Sequence, residues 1–414
     1  MTRYLQQKTL FGPQIYQQPS LDLEMVVVIP CFDEKYVLKS LLSLKKCTLP
    51  PCSVEVIILI NQSENSPGTI QKTNETAFEQ ITKWSKQNNT AQLKFFPLFH
   101  DQLPKKHAGV GLARKIGMDE ATWRLEKAGN PDGIIICFDA DSLAQTNYLT
   151  AIHEHFKKNT STAACGIHYE HPTNGMEFSD EVYEAIIQYE LHLRYYINAQ
   201  KYTGFPFAFQ TIGSSMAVRA NSYQSQGGMN KRKAGEDFYF LHKFIESGNF
   251  TQLNATTVIP SPRPSDRVPF GTGKAVNAQL SVPTPPTTYA IQSFDDLKIF
   301  FGNFSEYYQQ PFPLLLAQQQ PSVQAFLESI NAEKNWEELH QNTRNFDGFK
   351  KRFFRWFNAF MLMKYVHFSR DHFHPDIPLL EASTALFNKL GLPVPLPTYL
   401  AHLKIWRKLD KSQN

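Results

Sequence analysis

Gly133-Ile-Ile-Ile-Cys-Phe-Asp-Ala-Asp141 joins a short apolar run to two carboxylates that follow it directly. The run over 133–138 has the length and β-branched content of a strand buried on both faces, as in parallel sheets. Asp139 and Asp141 then stand at the carboxyl end of this strand, where open α/β sheets bind ligands. Residues two apart on an extended backbone point to the same side, so we expect both carboxylates to face one Mg²⁺ or Mn²⁺ ion, since these cations prefer oxygen ligands. The alternative is a solvated turn at the end of the strand.

Alternating strand and helix signals surround this stretch. Met25–Pro30 and Val54–Ile60 have the pattern of buried strands, and residues 34–44 and 111–127 have helical spacing of apolar residues. Alternation of this kind predicts an α/β fold in which helices flank a mostly parallel sheet. The other predicted elements are a strand over 93–96, a helix over 179–200, a strand over 211–219 and a helix over 237–247.

The pattern changes after Ile259. Residues 260–274 are rich in Pro, Gly and Arg and are predicted to form a loop. Pro283-Thr-Pro-Pro286 is predicted to be a connector, because three prolines in four residues exclude a helix interior or an interior strand. Residues 294–414 carry mainly helical periodicity. We therefore predict an N-terminal extension over 1–24, an α/β domain over 25–280 and a mainly helical C-terminal extension over 281–414.

The composition predicts a folded protein without a nucleic-acid surface. The chain has 414 residues, of which 32 are Phe and 17 are Tyr, and this aromatic content is too high for a largely disordered chain. Lys and Arg number 42 against 38 Asp and Glu, which leaves a net charge of +4. So small an excess gives no basic face for nucleic-acid binding, and we expect no nucleic-acid partner.

The five cysteines predict buried free thiols in a reducing cytosol. Their number is odd and no two form a C-x-x-C pair, which argues against a disulfide framework and against a zinc knuckle. Residues 1–24 contain no apolar stretch of the kind found in secretory signals. No window reaches the roughly 18 apolar residues of a membrane span. We therefore expect a cytoplasmic protein.

A second acidic pair, Glu236-Asp237, opens a predicted helix. Acidic residues are favoured in the first turn of any helix, which gives the pair a purely structural explanation. The functional alternative is a carboxylate at a cleft that takes a proton from an incoming hydroxyl. Gly109-Val-Gly-Leu-Ala-Arg114 is similar to a phosphate-binding turn. It departs from the dinucleotide fingerprint and no P-loop motif is present, so a Rossmann dehydrogenase and a P-loop NTPase are disfavoured.

Four segments, in this order, resemble the family 2 glycosyltransferases, which have the GT-A (nucleotide-diphospho-sugar transferase) fold. Val28–Glu34 is similar to the family's opening strand, and Gly109–Ala121 to its G-x-x-x-A-R-N-x-G segment. Phe138-Asp-Ala-Asp141 is similar to its D-x-D motif, and Gly213–Asp237 to the acceptor-side stretch that ends in an E-D motif. The resemblance extends from about Met25 to Phe244.

This resemblance implies a hexosyltransferase that depends on Mn²⁺ or Mg²⁺. Asp139 and Asp141 would hold the cation on the diphosphate of a nucleotide-sugar donor, and the anomeric centre would be inverted. Asp237 would be the base for an acceptor hydroxyl on a glycan, a lipid-linked intermediate or a small metabolite, with Glu236 as second choice. The residues expected to contact the donor are Pro30, Phe32, Asp33, Glu34, Asn61, Gln62, Gly111, Arg114, Asp139, Arg263 and Arg267.

The chain departs from the family pattern after its second strand. Asn61-Gln-Ser-Glu-Asn65 stands where the family usually has an acidic turn that reads the nucleobase, so the base is left open. Asp33 replaces the family's usual asparagine, and both residue types accept hydrogen bonds. Two rival functions remain at this point: a sugar-nucleotide pyrophosphorylase, and a catalytically silent GT-A domain that binds a glycan or a partner.

Several later segments allow two interpretations each. The 260–274 loop either closes over the donor, with Arg263 and Arg267 on phosphate oxygens, or is an ordered surface loop in which Asp266 pairs internally. The alternate aromatics of 202–209 either stack on a sugar or belong to the core. The basic aromatic segment over 350–364 either contacts an anionic membrane surface, which would place the protein at the membrane periphery, or packs on the catalytic domain. The two histidines of 371–374 are interpreted as incidental rather than as metal ligands.

Overall fold

The computed structural model describes residues 2–268, 270–282, 284–308 and 310–412. Pro269 of the predicted loop and Pro283 of the predicted connector therefore lie outside the described residues. The chain divides into two compact units, the first formed by 1–175, 211–274 and 410–414, and the second by 176–210 and 275–409. The units and the three predicted parts divide the chain differently, and the boundary near residue 280 stays a prediction.

The secondary structure begins with an alternation of strands and helices and ends with helices. The elements up to Tyr169 are α1 (Arg3–Gln7), β1 (Leu23–Cys31), α2 (Val37–Lys45), β2 (Ser53–Ser63), α3 (Gly68–Asn88), β3 (Leu93–Leu103), α4 (Val110–Lys127), β4 (Ile134–Cys137), β5 (Leu143–Ala144), α5 (Tyr148–Lys158) and β6 (Ala164–Tyr169). Those that follow are α6 (Asp180–Tyr202), β7 (Met216–Arg219), α7 (Ala220–Ser225), α8 (Glu236–Ile245), β8 (Phe250–Ile259), α9 (Thr272–Ser281), β9 (Thr287–Thr288), α10 (Ile291–Gly302), α11 (Phe304–Tyr307), α12 (Phe312–Ala317), α13 (Pro321–Ser329), α14 (Ala332–Gln341), α15 (Phe346–Trp356), α16 (Ala359–His372), β10 (Ile377–Pro378), α17 (Leu379–Lys389) and α18 (Tyr399–Ser412).

The first unit contains an eight-stranded sheet with the order β3-β2-β1-β4-β7-β6-β8-β5. The first four strands in this order are parallel, and β6 is parallel to β8. The antiparallel pairs are β4 with β7, β6 with β7, and β5 with β8. The predicted α/β fold with a mostly parallel sheet is confirmed.

The central strands are buried on both faces, which explains their continuous apolar sequences. Every residue of β2 from Ser53 to Gln62 is buried, and β4 is buried throughout. Helix α4 is also buried along most of its length, and its buried charged residues have ionic or hydrogen-bonding partners. Arg124 donates to both carboxylate oxygens of Glu55 at 2.7 and 2.6 Å. Paired burial of this kind is how a helix with many charged residues can lie inside an α/β domain.

Several predicted boundaries differ from the structure, and the strand predicted over 93–96 extends to Leu103. The helix predicted over 34–44 begins at Val37. The strand predicted over 211–219 is only Met216–Arg219, because a turn closed by the Ser215 N–H and the Ile212 carbonyl precedes it. The loop predicted over 260–274 ends where α9 begins at Thr272. The five cysteines are free and buried, as the sequence predicts.

The second unit is mainly helical, as predicted for the C-terminal part of the chain, and its interior is aromatic. Phe304 lies 4.5 Å from Phe353 between ring centroids, and Phe353 also contacts Trp336. On α15 the aromatic residues Phe349, Phe353 and Phe354 are buried, whereas its Lys and Arg side chains are exposed. This arrangement favours packing over membrane insertion for the basic aromatic segment. Among the described residues, no helix combines the length and the hydropathy that crossing a membrane requires.

Candidate active site

The carboxyl ends of β1, β2 and β4 lie side by side in the first unit. Strand β1 pairs in parallel with β2 on one side and with β4 on the other, with Cys31 opposite Ile60 and Val28 opposite Cys137. The segments that follow these strands therefore meet at one edge of the sheet. They supply the predicted site residues Phe32, Asp33 and Glu34 after β1, Asn61 and Gln62 at the end of β2, and Asp139 and Asp141 after β4.

Two arginines of the 260–274 loop bind this acidic edge. Arg263 donates to Glu34 at 2.5 Å and to Asp141 at 3.3 Å. Arg267 donates to the Phe32 carbonyl at 2.7 Å and lies 3.6 Å from the Asp141 carboxylate. Five predicted site residues, which come from three distant parts of the sequence, thus form one cluster.

Within the same loop, Asp266 forms an ion pair with Lys274 at 2.6 Å. This contact is the internal pair expected if the segment is an ordered surface loop. The loop in this structure combines that internal pair with the arginine contacts to the acidic edge. Closure over a donor remains a prediction.

Arg114 connects the two acidic pairs that the sequence singles out. It projects from the first turns of α4, is only 3% exposed, and donates to Asp139 at 2.6 Å and to Glu236. Burial, as the largest cause, raises the pKa of Glu236 to about 6, and the nearby guanidinium of Arg114 acts in the opposite direction. The D-x-D pair and the E-D pair are therefore joined through one buried cation, although nearly 100 residues separate them in sequence.

Asp237 and Glu236 differ in what holds them. Glu236 is 2% exposed and bound by Arg114, whereas Asp237 keeps a partly exposed side chain at the first turn of α8. The Asp237 carboxylate accepts a hydrogen bond from the backbone N–H of Phe238 at 2.7 Å. Burial raises its pKa, and Arg114 is the strongest influence that lowers it. Of the two carboxylates, Asp237 is the one with access to an incoming hydroxyl.

Asn74 organises the turn where a base-reading aspartate is usual in the family. Its side chain is fully buried on α3, donates to Gln62 Oε1 at 2.9 Å and accepts from the Asp33 N–H at 2.9 Å. Asp33 has a φ of 49°, in the left-handed region that few residues other than glycine adopt. The Asn74 contact therefore fixes an unusual backbone next to the acidic edge. Asn74 belongs to no motif in the sequence; its one signal is an amide at helical spacing from the apolar residues Ile70, Ala77 and Phe78.

Two glycines allow the ion-paired segments to approach one another. A Cβ at Gly111 would lie 2.2 Å from the Arg232 carbonyl oxygen, so α4 begins in backbone contact with the segment before α8. A Cβ at Gly213 would lie 2.4 Å from Arg114 Nη1. The structure thus gives Gly111 a packing role, and its predicted donor contact stays a prediction. The role of Gly213 was missed in the sequence.

The remaining candidates are distributed differently. Pro30 lies within β1 opposite Leu59 and is partly buried. In the second unit Phe205 is 4% exposed and packs against Phe301 and Phe354, which favours the core interpretation for that aromatic residue. His374 lies 3.0 Å from Asp296, and this contact provides an ordinary structural partner for one of the two histidines of 371–374.

The D-x-D pair has the donor chemistry of a Mg²⁺ or Mn²⁺ site. Its carboxylate oxygens can serve as metal ligands and remain accessible, since 37% of the Asp139 side chain and 29% of the Asp141 side chain are exposed. Burial, as the largest cause, and the adjacent Asp139 charge raise the pKa of Asp141 to about 6. Two neighbouring carboxylates that repel each other fit a divalent cation, which commonly takes one or two carboxylates together with substrate phosphates.

Residues 26–216 match the family model described as Glycosyl transferase family 2. This segment runs from β1 to the first residue of β7 and includes Arg114, Asp139 and Asp141; Glu236 and Asp237 lie beyond it. A comparison with curated protein sequences gives no match.

Among solved structures, the chain is similar to S. aureus TarS. Residues 1–349 of TarS share 14% sequence identity and a TM-score of 0.40, with 77% of this chain and 90% of that chain covered. The same TarS segment in complex with UDP-GlcNAc gives 14% identity and a TM-score of 0.41, with 84% and 91% covered.

The fold and the family match together indicate a GT-A glycosyltransferase, a class of enzyme that uses nucleotide-sugar donors. The match covers residues 26–216, which are less than half of the chain. Of the three functions that the sequence left open, the match supports the glycosyltransferase over the pyrophosphorylase, whereas a silent GT-A domain would match the same family model.

Proposed function

We propose that the chain transfers a hexose from a nucleoside diphosphate sugar to an acceptor hydroxyl, with Mn²⁺ or Mg²⁺ at Asp139 and Asp141 and with inversion of the anomeric centre. The observation that carries this proposal is the pair of contacts made by Arg114, to Asp139 of the donor-side pair and to Glu236 of the acceptor-side pair. Because one buried side chain touches both acidic pairs, donor phosphates and acceptor hydroxyl would meet at one place.

Each charged residue has a distinct task in this reaction. A bound divalent cation would neutralise the charge that develops on the departing nucleoside diphosphate. Arg263 and Arg267, which lie on the acidic edge, would donate to the diphosphate oxygens and orient them. Asp237 would accept the acceptor's hydroxyl proton while the acceptor oxygen bonds to the anomeric carbon and the bond from that carbon to the phosphate oxygen breaks. Glu236 would act through Arg114 as a positioning residue.

Recognition of the nucleobase is assigned to the end of β2. The Gln62 amide is held by Asn74, and Asn61 is 3% exposed beside it. Amides carry both donors and acceptors and can read a base edge without the usual aspartate. The donor contacts of Pro30 and Asp33 belong to the same proposal. UDP-GlcNAc, the ligand of the TarS complex, is the first donor to test.

The donor proposal is tested by thermal unfolding with UDP, GDP, dTDP and their common sugars, with and without Mn²⁺. Ligand that binds the native state raises the melting temperature by mass action, about 2.7 kcal/mol in unfolding free energy at a hundredfold excess over Kd. We expect one nucleotide to give a shift that requires Mn²⁺ and disappears in Asp141→Asn. Asp132→Asn is the matched control, because it changes a half-exposed aspartate that pairs with Arg219 before the start of β4, at the other end of that strand from Asp141. A metal-independent shift, or an unchanged shift in Asp141→Asn, would contradict the proposed metal site.

Arg263→Gln is expected to weaken donor binding about tenfold or more, because hydrogen bonds to charged groups contribute about 1.5–3 kcal/mol each. The affinity of the protein for Mn²⁺ alone should not fall. Arg263 is a cation beside the Asp141 carboxylate, so its removal takes away a group that competes with Mn²⁺ for that carboxylate. Isothermal titration with donor and with Mn²⁺ separates the two effects. Lys274→Gln is the control, since Lys274 lies in the first turn of α9 and pairs with Asp266 of the loop, and this variant should bind the donor like the wild type.

The acceptor is proposed only as a hydroxyl of a glycan, a lipid-linked intermediate or a small metabolite. Contact with a membrane through the exposed cations of α15 would suit the lipid-linked class. The buried aromatic face of that helix leaves only charge to attract a surface. Such contact would be salt-sensitive, and sedimentation with anionic vesicles at low and high salt tests it.

A further inference from the structure

A cysteine, a histidine and a glutamate meet at the end of the sheet opposite to the acidic edge. Glu24 lies near the start of β1, Cys52 directly precedes β2, and His153 lies on α5. One potential ligand atom from each of them, namely the Sγ, a ring nitrogen and a carboxylate oxygen, lies within 4.8 Å of the other two. Since β1 rises about 3.3 Å per residue, roughly 23 Å separates Glu24 from Cys31 at the strand's other end.

The geometry of this trio points to a ligand. His153 Nε2 lies 3.0 Å from Glu24 Oε2, which is close to the spacing of about 3.3 Å that two ligands at 2.0–2.1 Å have on a tetrahedral zinc. Cys52 is 2% exposed and His153 is 7% exposed, whereas 33% of the Glu24 side chain is accessible. A cation at this place would have a buried thiolate and imidazole on one side and an opening to water at the glutamate.

We propose that Glu24, Cys52 and His153 bind one Zn²⁺ ion, with water as the fourth ligand. Thiolate with imidazole is the ligand combination that zinc accepts and that Mg²⁺ and Mn²⁺ do not favour. Binding forms a Zn–S bond and a Zn–N bond: the Cys52 S–H bond breaks and its proton passes to solvent, while the His153 Nε2 proton, which Glu24 accepts in the metal-free protein, is lost to solvent as Nδ1 takes one up. The metal would tie the start of β1, the start of β2 and α5 together, so its effect is on the stability of the first unit.

Two existing contacts must change on binding, namely the hydrogen bond between His153 and Glu24, which bonds to the metal replace, and the ion pair of Lys157 with Glu24. Lys157 lies 3.2 Å from Glu24 Oε2, the oxygen that also meets His153. The Lys157 side chain is 62% exposed, so its ion pair is worth little and it can turn into solvent. The Zn²⁺ ion would then take the place of the Lys157 ammonium beside Glu24, and it would also bind Cys52 and His153.

The experiment uses the full chain, reduced and freed of metal with a chelator, and titrated with Zn²⁺ against a chromophoric competitor in excess Mg²⁺ to occupy oxygen-only sites. We expect one Zn²⁺ per chain, and an affinity reduced by more than about 100-fold in Cys52→Ser and in His153→Gln, beyond the 10–100-fold typical of outer-shell partners. Cys47→Ser and His155→Gln are the matched controls. Cys47 is also buried, and His155 lies on the same helix but bonds to Thr251, so both should bind like the wild type.

Co²⁺ identifies the thiolate ligand directly. Wild type and Cys47→Ser should show thiolate-to-Co²⁺ charge-transfer absorption that Cys52→Ser lacks. Thermal unfolding compares each variant with and without Zn²⁺, so a change in the stability of the metal-free protein does not affect the result. Zn²⁺ should raise the melting temperature of the wild type and leave that of Glu24→Gln nearly unchanged. Zinc binding that is equal in Cys52→Ser, absent in the wild type, or unaccompanied by thiolate absorption would overturn the proposal. None of these outcomes depends on the sugar-transfer reaction.

Discussion

Asp237→Asn is expected to lower kcat about 10²–10⁴-fold, the usual contribution of a positioned general base. The substitution keeps the shape of the side chain and the oxygen that accepts from the Phe238 N–H, so α8 should begin unchanged. Donor affinity should stay within about twofold to threefold, because a base that acts only on the acceptor contributes to the transition state and not to donor binding. Steady-state kinetics with calorimetric measurement of donor binding separates these quantities.

The control for Asp237 is Glu246→Gln. Glu246 follows the last residue of α8, at the opposite end from Asp237, so it tests for a general effect of changing a carboxylate on this helix. It should retain the wild-type kcat. A variant Asp237→Asn that keeps its kcat, or that loses activity only through weaker donor binding, would remove Asp237 from the role of base.

The same assignment predicts how activity depends on pH. Burial raises the pKa of Asp237 above its ordinary value of 3.8. A general base works in its unprotonated form, so kcat should fall as the pH drops through this raised pKa, at a less acidic pH than an exposed aspartate would give. The part of the acidic limb that belongs to Asp237 should be absent from the residual activity of Asp237→Asn, and any limb that remains belongs to Asp141 or Glu236, whose pKa values are also raised.

The position of the active site was predictable because parallel strands end at the same edge. The apolar runs that end at Pro30 and Phe138 predict where the two strands end. Because the strands are parallel, the residues that follow them must lie close together. The family resemblance placed Glu34 and Asp141 in one site, and this property of parallel strands is the physical reason why two residues so far apart in sequence can lie together. The structure confirms the sheet and brings these two carboxylates onto one arginine.

The partners of these residues could not be predicted in the same way. Periodicity locates an element and its buried face, but it does not say which side chain meets another across the interior. Arg114 was expected to contact the donor, and the structure places it between two carboxylates inside the protein. Asn74 carries no motif at all. Its contribution depends on the strand order, which puts the end of β2 and the turn after β1 beside α3.

The trio of Glu24, Cys52 and His153 is a second case in which the sequence does not predict which side chains meet in the fold. The spacing of the cysteines argued against a zinc knuckle, and that argument applies only to ligands that are close in sequence. Here each ligand comes from a different element, and the register of β1 against β2, with Leu23 opposite Ser53, brings two of them together. A mixed ligand set of this kind is visible only after the fold is known.

Arg114→Met is expected to reduce the free energy of unfolding by about 3–5 kcal/mol, the range found when one partner of a buried ion pair is removed. The guanidinium is 3% exposed and binds Asp139 and Glu236, so its loss leaves negative charge in the interior without a partner. Urea unfolding measures the change. Lys127→Met removes an exposed cation from the last turn of the same helix and should change the stability by no more than about 0.5 kcal/mol.

If unpaired charge is the cause, the effect of Glu236→Gln must depend on Arg114. In the wild type this change removes a buried charge as well as a partner of Arg114, so the two effects oppose each other and the net change in stability should be small. In the Arg114→Met background it removes an unpaired carboxylate and should restore part of the lost stability. A coupling of about 0.5–3 kcal/mol is the usual size for residues in contact.

Acidification should have the same effect as Glu236→Gln, because it neutralises the Glu236 carboxylate. Burial raises the pKa of Glu236 to about 6, above its ordinary 4.5, so the folded state takes up the proton first and stability rises as the pH falls through that window. Arg114 lowers this pKa, so its removal widens the window, and the deficit of Arg114→Met relative to the wild type should shrink toward low pH. A deficit that is independent of both pH and Glu236→Gln would mean that lost packing, and not unpaired charge, is responsible.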